Sequence, residues 1–417
     1  MRPRRGLWAL VLFVAGILAS PRAGAYSVLT HEAIVDAVWE SSLRPLLLRR
    51  FPGATAEDLK AAHAAAYGGA LMPDMGYFPG GAPFFTNLVH YVRSGDFVSA
   101  LLREAKTSLE LGFALGALSH YHADRWGHPL GTNRCAPILY PKSAKGAGAL
   151  TYEEAPLAHK RVEFGFDVLQ TARGNYAPEA YHDFIGFQFA DSLLARVFVQ
   201  TYGLRIQDVF GNYGRAISLL RICVRDFFPL LAKSAWHNRR AEINKAQPGA
   251  TARSFRYRMR QKQYNKRFPR SEDHPRFFTR LFANVRFLLP KVGPLRPLKF
   301  KVPDRETEKI FIASFDTVTL HLRAYTQLLH EGKAPSLPNY DYDTGQRTEP
   351  GEYKLTDQTY RCLLVNLHKE DFRTVPPALR SNLAAFFGRG GQAMYPEKEK
   401  DRVKLTTALK DFKTEAR

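Results

Sequence analysis

Three residues that can bind a metal ion recur at four-residue intervals in LSHYHADRWGH, residues 118–128. They are His120, Asp124 and His128. Because an α-helix has about 3.6 residues per turn, side chains four residues apart project from one face. The preceding residues 111–118 are mostly apolar, so the sequence predicts a largely buried helix. Buried imidazoles and carboxylates need partners, and a metal ion supplies one.

A second pair with the same spacing, His159 and Glu163, follows in HKRVEFGFDVLQ. Two helices that each carry such a pair can face each other and hold several metal ions between them. A single HxxxD pair is also typical of an ion pair on a helix surface, so the prediction of a metal site depends on both pairs together. Pro129 predicts the end of the first helix directly after His128.

The remaining composition favours a hydrolytic metal site over a structural one. The chain has 417 residues and three cysteines, which permit at most one internal disulfide and exclude a disulfide scaffold. The candidate ligands are therefore imidazoles and carboxylates, without thiolates. Such a set suits hydrolytic zinc better than a cysteine-rich structural zinc site.

The N-terminus has the features of a secretory signal peptide. Three arginines within the first five residues precede an apolar stretch at residues 7–19, and Ala-Gly-Ala at residues 23–25 offers a cleavage site. The apolar stretch is too short to span a bilayer comfortably. We therefore expect a secreted or periplasmic protein whose mature chain begins at Tyr26. Its free α-amine would be a possible metal ligand, close to His31.

The chain is strongly basic, with a formal net charge of +21, and the excess is concentrated at residues 239–301. This segment holds 18 Lys and Arg against three Asp and Glu, with phenylalanines and tyrosines interleaved. It is compatible with binding of single-stranded nucleic acid, with a surface for anionic lipid, or with a solvated basic face over packed aromatic rings. The tail beyond residue 332 mixes loops, including PSLPNYDYDTG, with short helices.

The order of the candidate ligands resembles that of the zinc-dependent phospholipase C family, and more distantly that of the S1/P1-type nucleases. The order is a first residue, a nearby His, an Asp in a Gly/Pro-rich loop, a His, HxxxD with a further His, and HxxxE. It covers about residues 26–167. The chain departs from the family in having Tyr26 where Trp is usual, and in the short spacing of four residues between Asp124 and His128.

The resemblance implies an all-α architecture, with a phospholipase C/P1 nuclease-like helical domain. We expect a basic, mostly helical C-terminal extension after it, which has no counterpart in the family. The predicted limits are residues 1–25 for the signal peptide, 26–235 for the zinc-dependent phospholipase C-like domain, and 236–417 for a basic helical and loop extension of unknown role.

Carried over position by position, the resemblance implies three zinc ions per chain. The ligands would be Asp74, His90, His120 and Asp124 for the first ion; His128, His159 and Glu163 for the second; and the amine and carbonyl of Tyr26, His31 and a bridging Asp124 for the third. Asp74 is also the candidate to orient or deprotonate the attacking water.

The predicted function is that of a secreted, zinc-dependent phosphodiester hydrolase. Clustered metal ions can stabilise both the attacking and the leaving oxygen of a phosphodiester. The favoured reaction is phospholipase C-type cleavage of a phospholipid to diacylglycerol and a phosphorylated headgroup, with peripheral contact to a membrane surface. The sequence gives no sign of a partner protein.

Two alternatives stay open from the sequence. A single-strand nuclease of the S1/P1 type would explain the basic segment and the short spacing from Tyr26 to His31, although the start YSVLTH lacks the Trp and glycines usual in those nucleases. A non-catalytic module that binds anionic surfaces would use the metal ions only to stabilise the fold.

Overall fold

The chain folds into helices, in agreement with the predicted all-α class. The structure is a computed structural model that describes residues 28–144, 146–176, 187–224, 228–251, 299–390 and 395–414. Within these ranges there is no strand, only an isolated β-bridge between Tyr340 and Arg347.

The helices are numbered here in chain order. Those up to residue 173 are α1 (Val28–Val38), α2 (Arg44–Arg50), α3 (Ala56–Leu71), α4 (Pro83–Tyr91), α5 (Ser94–Glu104), α6 (Ser108–Gly127), α7 (Asn133–Leu139), α8 (Pro141–Ala144) and α9 (Pro156–Arg173). The later ones are α10 (Asp191–Tyr202), α11 (Ile206–Val209), α12 (Tyr213–Ile222), α13 (Phe228–Ala246), α14 (Arg305–His330), α15 (Lys354–His368), α16 (Pro377–Arg389) and α17 (Glu399–Thr414).

Helices α3 and α6 pack backbone to backbone at the centre of the fold. A Cβ on Gly116 of α6 would lie 1.9 Å from the carbonyl oxygen of Ala66, and Gly69 of α3 faces the backbone of α6 equally closely. Only glycine fits at such a distance. The close approach brings the carbonyl group of Ala70 to 2.7 Å from Nδ1 of His120, so this packing also positions a candidate ligand.

Helix α1 is fastened at its beginning by a carboxylate of α9. Asp167 Oδ1 accepts a hydrogen bond from the Thr30 hydroxyl at 2.7 Å, and its Oδ2 accepts one from the backbone N–H of Leu29 at 3.2 Å. Asp167 lies one turn after Glu163 on α9. The two contacts therefore set the position of His31 relative to the ligand pair on α9.

The end of α6 differs from the sequence prediction. Helix α6 does end at Gly127, but the chain then continues as a π-helical turn, His128–Thr132, directly into α7. Pro129 lies in the first positions of that turn, and it lacks the N–H that would continue the α-helical hydrogen bonds of α6. Pro129 therefore changes the type of helix instead of ending the helical path.

The later helices pack on the earlier ones. Helix α14 begins with a capping box, in which Asp304 accepts from the N–H of Thr307 and the Thr307 side chain accepts from the N–H of Asp304. It then crosses α1, α6 and the π turn, with Phe311 stacked on Phe166 of α9 at 4.1 Å between ring centroids. The predicted domain limits stay a prediction.

Two of the sequence-based predictions fall outside the described ranges. These are the signal peptide, residues 1–25, and most of the basic segment at 239–301. Among the helices that the structure describes, none combines the length and the apolar character needed to cross a bilayer.

Candidate metal centre

Eight of the nine candidate ligands are described, and all eight converge on one buried region. Their sources are α1 for His31, the 3₁₀ segment Met72–Tyr77 for Asp74, the end of α4 for His90, α6 for His120 and Asp124, the π turn for His128, and α9 for His159 and Glu163. The ninth, Tyr26, lies outside the described residues. Every one of the eight is buried, and Asp74 is the most accessible at 6 % of its surface.

Asp124 occupies the middle of the cluster. Its carboxylate oxygens lie 3.0 Å from Nε2 of His120, 3.4 Å from Nε2 of His90 and 3.5 Å from Nε2 of His31. The same carboxylate lies 3.8 Å from Nε2 of His128. This central position is what a carboxylate shared between several cations requires.

Asp74, in the 3₁₀ segment, lies beside two of the same imidazoles. One of its oxygens lies 3.4 Å from Nε2 of His90 and the other lies 3.8 Å from Nε2 of His31. Potential ligand atoms of Asp74, His90 and His120 form one compact group, and those of His31, His120 and Asp124 form another.

A third group joins the π turn to α9. Glu163 Oε1 lies 2.8 Å from Nε2 of His159 and 3.5 Å from Nε2 of His128. His159 and Glu163 are one helical turn apart, so this part of the geometry follows from their spacing. His128 adds a ligand atom from a different element, and the three atoms are close enough to hold one ion.

Backbone carbonyl groups orient three of the imidazoles. Nδ1 of His90 donates to the carbonyl oxygen of Thr86 at 2.9 Å, and Nδ1 of His120 donates to that of Ala70 at 2.7 Å. A carbonyl oxygen can only accept, so the proton of each neutral ring lies on Nδ1 and the Nε2 lone pair faces the cluster. His128 has the same arrangement toward the carbonyl of Tyr342, at 3.2 Å.

Several of the polar atoms that face the cluster approach one another without forming hydrogen bonds. In the described part of the chain, Nε2 of His90 and His120, both oxygens of Asp124 and Oε1 of Glu163 are buried and lack a hydrogen-bond partner. The 2.8 Å approach of His159 Nε2 to Glu163 also lacks hydrogen-bond geometry. Orphaned buried polar atoms are costly, and a cation among these lone pairs would satisfy them together. The residues therefore fit zinc, which favours imidazole and carboxylate ligands.

Electrostatics keep the central carboxylates ionised. Burial alone would raise the pKa of Asp124, but the nearby His120 and His128 hold it well below its usual value. Burial likewise opposes ionisation of Glu163, and His159 and His128 outweigh it so that its pKa is lowered.

The pKa values of two imidazoles of the centre shift in opposite directions. Burial and the neighbouring His120 hold the pKa of His31 well below its usual value. At His90 burial is outweighed by Asp124 and Asp74, which raise its pKa to about 10. A cation must displace such protons, so metal binding at this centre weakens as the pH falls.

The part of the chain that carries the described candidate ligands matches a known protein family. Residues 30–212 match the family model described as zinc dependent phospholipase C. This part of the chain is a zinc-dependent phospholipase C domain. The match assigns residues 30–212 to a family of zinc-dependent phosphodiester hydrolases, and the described residues have the all-α fold of that family. No curated protein and no solved structure matches the chain.

The phospholipase C domain as matched contains all eight described candidate ligands, but it does not contain everything that touches them. The tail loop, residues 338–344, reaches the centre from outside the matched range. In this loop, Tyr342 supplies the carbonyl that accepts from His128, and an oxygen of Asp343 lies 3.6 Å from Nδ1 of the same ring. Neither residue could be recognised as part of the centre from the sequence alone.

Two other described histidines of the phospholipase C domain lie outside the centre. His63 on α3 pairs with Asp36 of α1 at 3.0 Å and stacks on Trp39 at 3.9 Å between ring centroids. His122 lies on α6 between two candidate ligands, but it packs edge-on against Tyr121 and near Tyr325 of α14.

Proposed function

We propose that the protein is a phospholipase C that cleaves phospholipids to diacylglycerol and a phosphorylated headgroup. The observation that carries this proposal is the convergence of eight buried imidazole and carboxylate side chains on one region, where the facing atoms of His90, His120, Asp124 and Glu163 lack hydrogen-bond partners. Membership of the phospholipase C family supports phospholipid as the substrate class.

We assign three zinc ions to this centre. The described residues form three compact groups, which supports one ion for each. Asp124 lies between the groups around His31 and His90, and it would bridge two of the ions. The amine and carbonyl of Tyr26 would complete the ligands of the ion held by His31.

Asp74 and the bound zinc would have different roles in hydrolysis. Asp74 would orient the attacking water and accept its proton, because it is the most accessible carboxylate of the centre. Burial raises the pKa of Asp74 in the metal-free protein. Zinc, when bound, supplies Lewis acidity toward the water and the phosphoryl oxygens.

Export is part of the proposal, because the third ion depends on a free amine at Tyr26. We propose that residues 1–25 are removed and that the mature protein is secreted or periplasmic. N-terminal sequencing of the exported protein should begin at Tyr26. A protein that keeps its first 25 residues should bind fewer zinc ions than the mature form, and equal zinc content would contradict the assignment of the amine.

The deciding experiment incubates the zinc-loaded mature protein with phosphatidylcholine vesicles or with single-stranded DNA. Release of the phosphorylated headgroup with the DNA left intact is the expected result. DNA cleavage without headgroup release would favour the nuclease alternative. Turnover of neither substrate by fully zinc-loaded protein would favour a non-catalytic module.

The control for this experiment is Asp36→Asn. Asp36 lies on α1 with His31, but it pairs with His63 and Tyr67 outside the centre. This variant should retain headgroup release, whereas Asp124→Asn should lose it.

A further inference from the structure

The tail loop contacts the candidate metal centre at one imidazole. His128 begins the π turn directly after α6, and its backbone N–H donates to the carbonyl oxygen of Asp124. Its Nδ1 lies 3.2 Å from the carbonyl oxygen of Tyr342 and 3.6 Å from Oδ1 of Asp343. Its Nε2, on the opposite side of the ring, faces Glu163 at 3.5 Å. The ring therefore lies between the tail loop and the third ligand group.

Asp343 is itself held firmly in place. Its Oδ2 accepts hydrogen bonds from the hydroxyl groups of Tyr91 at 2.8 Å and Tyr353 at 2.6 Å. Its backbone carbonyl accepts from the side chain of Asn133 at 2.7 Å, and Asn133 directly follows the π turn that carries His128. With Oδ2 fixed by two tyrosines, Oδ1 is left to face the imidazole.

Hydrogen bonds of neighbouring residues hold the tail loop in one conformation. Asp341 Oδ1 accepts from the backbone N–H groups of Asp343 at 3.0 Å and Thr344 at 3.1 Å. The Thr356 hydroxyl of α15 donates to the other oxygen of Asp341. Tyr342 donates its N–H to the carbonyl of His90, so the loop is also attached to a second candidate ligand. A buried loop with this many directed contacts presents its groups at fixed positions.

We propose that Asp343 is a positioning residue of the metal centre, which holds the His128 ring with Nε2 toward the zinc ion of the third ligand group. The Tyr342 carbonyl accepts the Nδ1 proton, and the charge of Asp343, 3.6 Å from the same nitrogen, favours this orientation of the ring and raises the basicity of the ligating nitrogen. Asp343 also adds a second negative charge to a group in which Glu163 is the only carboxylate. The C-terminal extension thus completes a centre whose described ligands lie in the matched domain.

The test compares zinc affinity in three variants, by competition with a chromophoric chelator. Asp343→Asn keeps the shape of the side chain and removes its charge, and it should weaken one class of zinc site by about 10–100-fold. Tyr353→Phe is the matched control, because it removes a hydrogen bond from Oδ2 and leaves Oδ1 facing His128. It should change zinc affinity by less than about 3-fold. His128→Ala should abolish the same class of site.

The inference rests on the proposed role of His128 as a zinc ligand, and the variants separate the two claims. Zinc binding unchanged in His128→Ala would overturn the ligand assignment. Loss of a site in His128→Ala together with wild-type affinity in Asp343→Asn would overturn the role of Asp343 alone. Equal loss of affinity in Asp343→Asn and Tyr353→Phe would also overturn it, because it would show that Asp343 acts only through the fold of the loop.

Thermal unfolding of the zinc-free proteins provides a readout of fold alone. Zinc-free Asp343→Asn should unfold close to wild type while its zinc-induced stabilisation is reduced. If Asp343→Asn fails to fold, Asp343→Glu replaces it: the charge remains, but the longer side chain cannot keep both the tyrosine contacts and the position behind His128. Wild-type zinc affinity in Asp343→Glu would contradict the proposal.

Discussion

Helix α1 separates two buried clusters built from the same kinds of residue. On one side, His31 faces the candidate metal centre. On the other, Asp36 belongs to what we call the α1–α3 cluster, Asp36, His63, Tyr67 and Trp39. There, Nε2 of His63 lies 3.0 Å from Asp36 with hydrogen-bond geometry, and the Tyr67 hydroxyl donates to the same carboxylate oxygen.

The contrast lies in geometry, because residue type and distance are similar. His159 approaches Glu163 more closely, at 2.8 Å, yet forms no hydrogen bond with it. In the α1–α3 cluster the polar atoms form hydrogen bonds with one another. In the metal centre, several polar atoms instead face common positions that a metal ion could occupy. A histidine–carboxylate pair therefore indicates a metal site only when its facing atoms form no hydrogen bond with each other and remain available to a metal ion.

The largest expected effect comes from Asp124→Asn. This change removes the carboxylate that lies closest to three imidazoles, and it should lower headgroup release by roughly 10³-fold, or about 4 kcal/mol of transition-state stabilisation. Zinc content should fall together with activity, as measured by elemental analysis. Unchanged zinc content and activity would refute the bridging role of Asp124.

Gly116→Ala should affect both the metal centre and the α1–α3 cluster. The added Cβ would lie 1.9 Å from the carbonyl oxygen of Ala66, so α3 and α6 must separate. We expect a loss of about 3 kcal/mol in the free energy of unfolding, measured in urea, and weaker zinc binding through His120. Gly388→Ala is the control: a Cβ at Gly388 meets nothing within 4 Å, so stability should change little. Equal stability of the two variants would show that the helix contact tolerates a side chain.

The α1–α3 cluster should respond in stability and not in zinc content. His63→Leu removes the partner of Asp36 and the ring that stacks on Trp39. The free energy of unfolding should fall by about 1–3 kcal/mol, because a partly buried carboxylate loses a hydrogen bond. Zinc per chain should stay at the wild-type value, and a loss of zinc would mean that the two clusters are not separate.

The last prediction concerns the effect of pH on the tail loop. Burial and the neighbouring Asp343 raise the pKa of Asp341 to about 7, compared with about 4 in an unfolded chain. The folded protein therefore keeps a proton that the unfolded chain has lost, and this contribution to stability disappears as the pH rises from about 4 through 7. It amounts to at most about 1.4 kcal/mol per pH unit. In Asp341→Asn the decline should be shallower, as measured by urea unfolding of the zinc-free protein at pH 4 to 8. The same slope in variant and wild type would contradict this assignment.

The parts of the centre that could be predicted from the sequence are those that one helix determines. His120 with Asp124, and His159 with Glu163, share a helical face because of their spacing, and the structure places each pair together. Asp74, His31 and His90 come from separate elements, so only the resemblance to a family connected them with the others. The structure brings all of these side chains into one region.

The contribution of the tail loop could not be predicted, because it depends on a contact between distant parts of the chain. The Nδ1 of His128 meets the backbone of Tyr342, 214 residues later. PSLPNYDYDTG has the composition of an ordinary loop, and the only signal in it is two aspartates that flank a tyrosine. Such a pattern indicates a turn as readily as an acceptor for an imidazole.

The most direct test is a crystal of the mature protein measured at the zinc absorption edge. The account predicts anomalous peaks within about 2.0–2.2 Å of Nε2 of His120 and Nε2 of His159, with none beside His63. Absence of anomalous density from the centre in zinc-replete crystals, with its imidazoles and carboxylates hydrogen-bonded to one another instead, would contradict it.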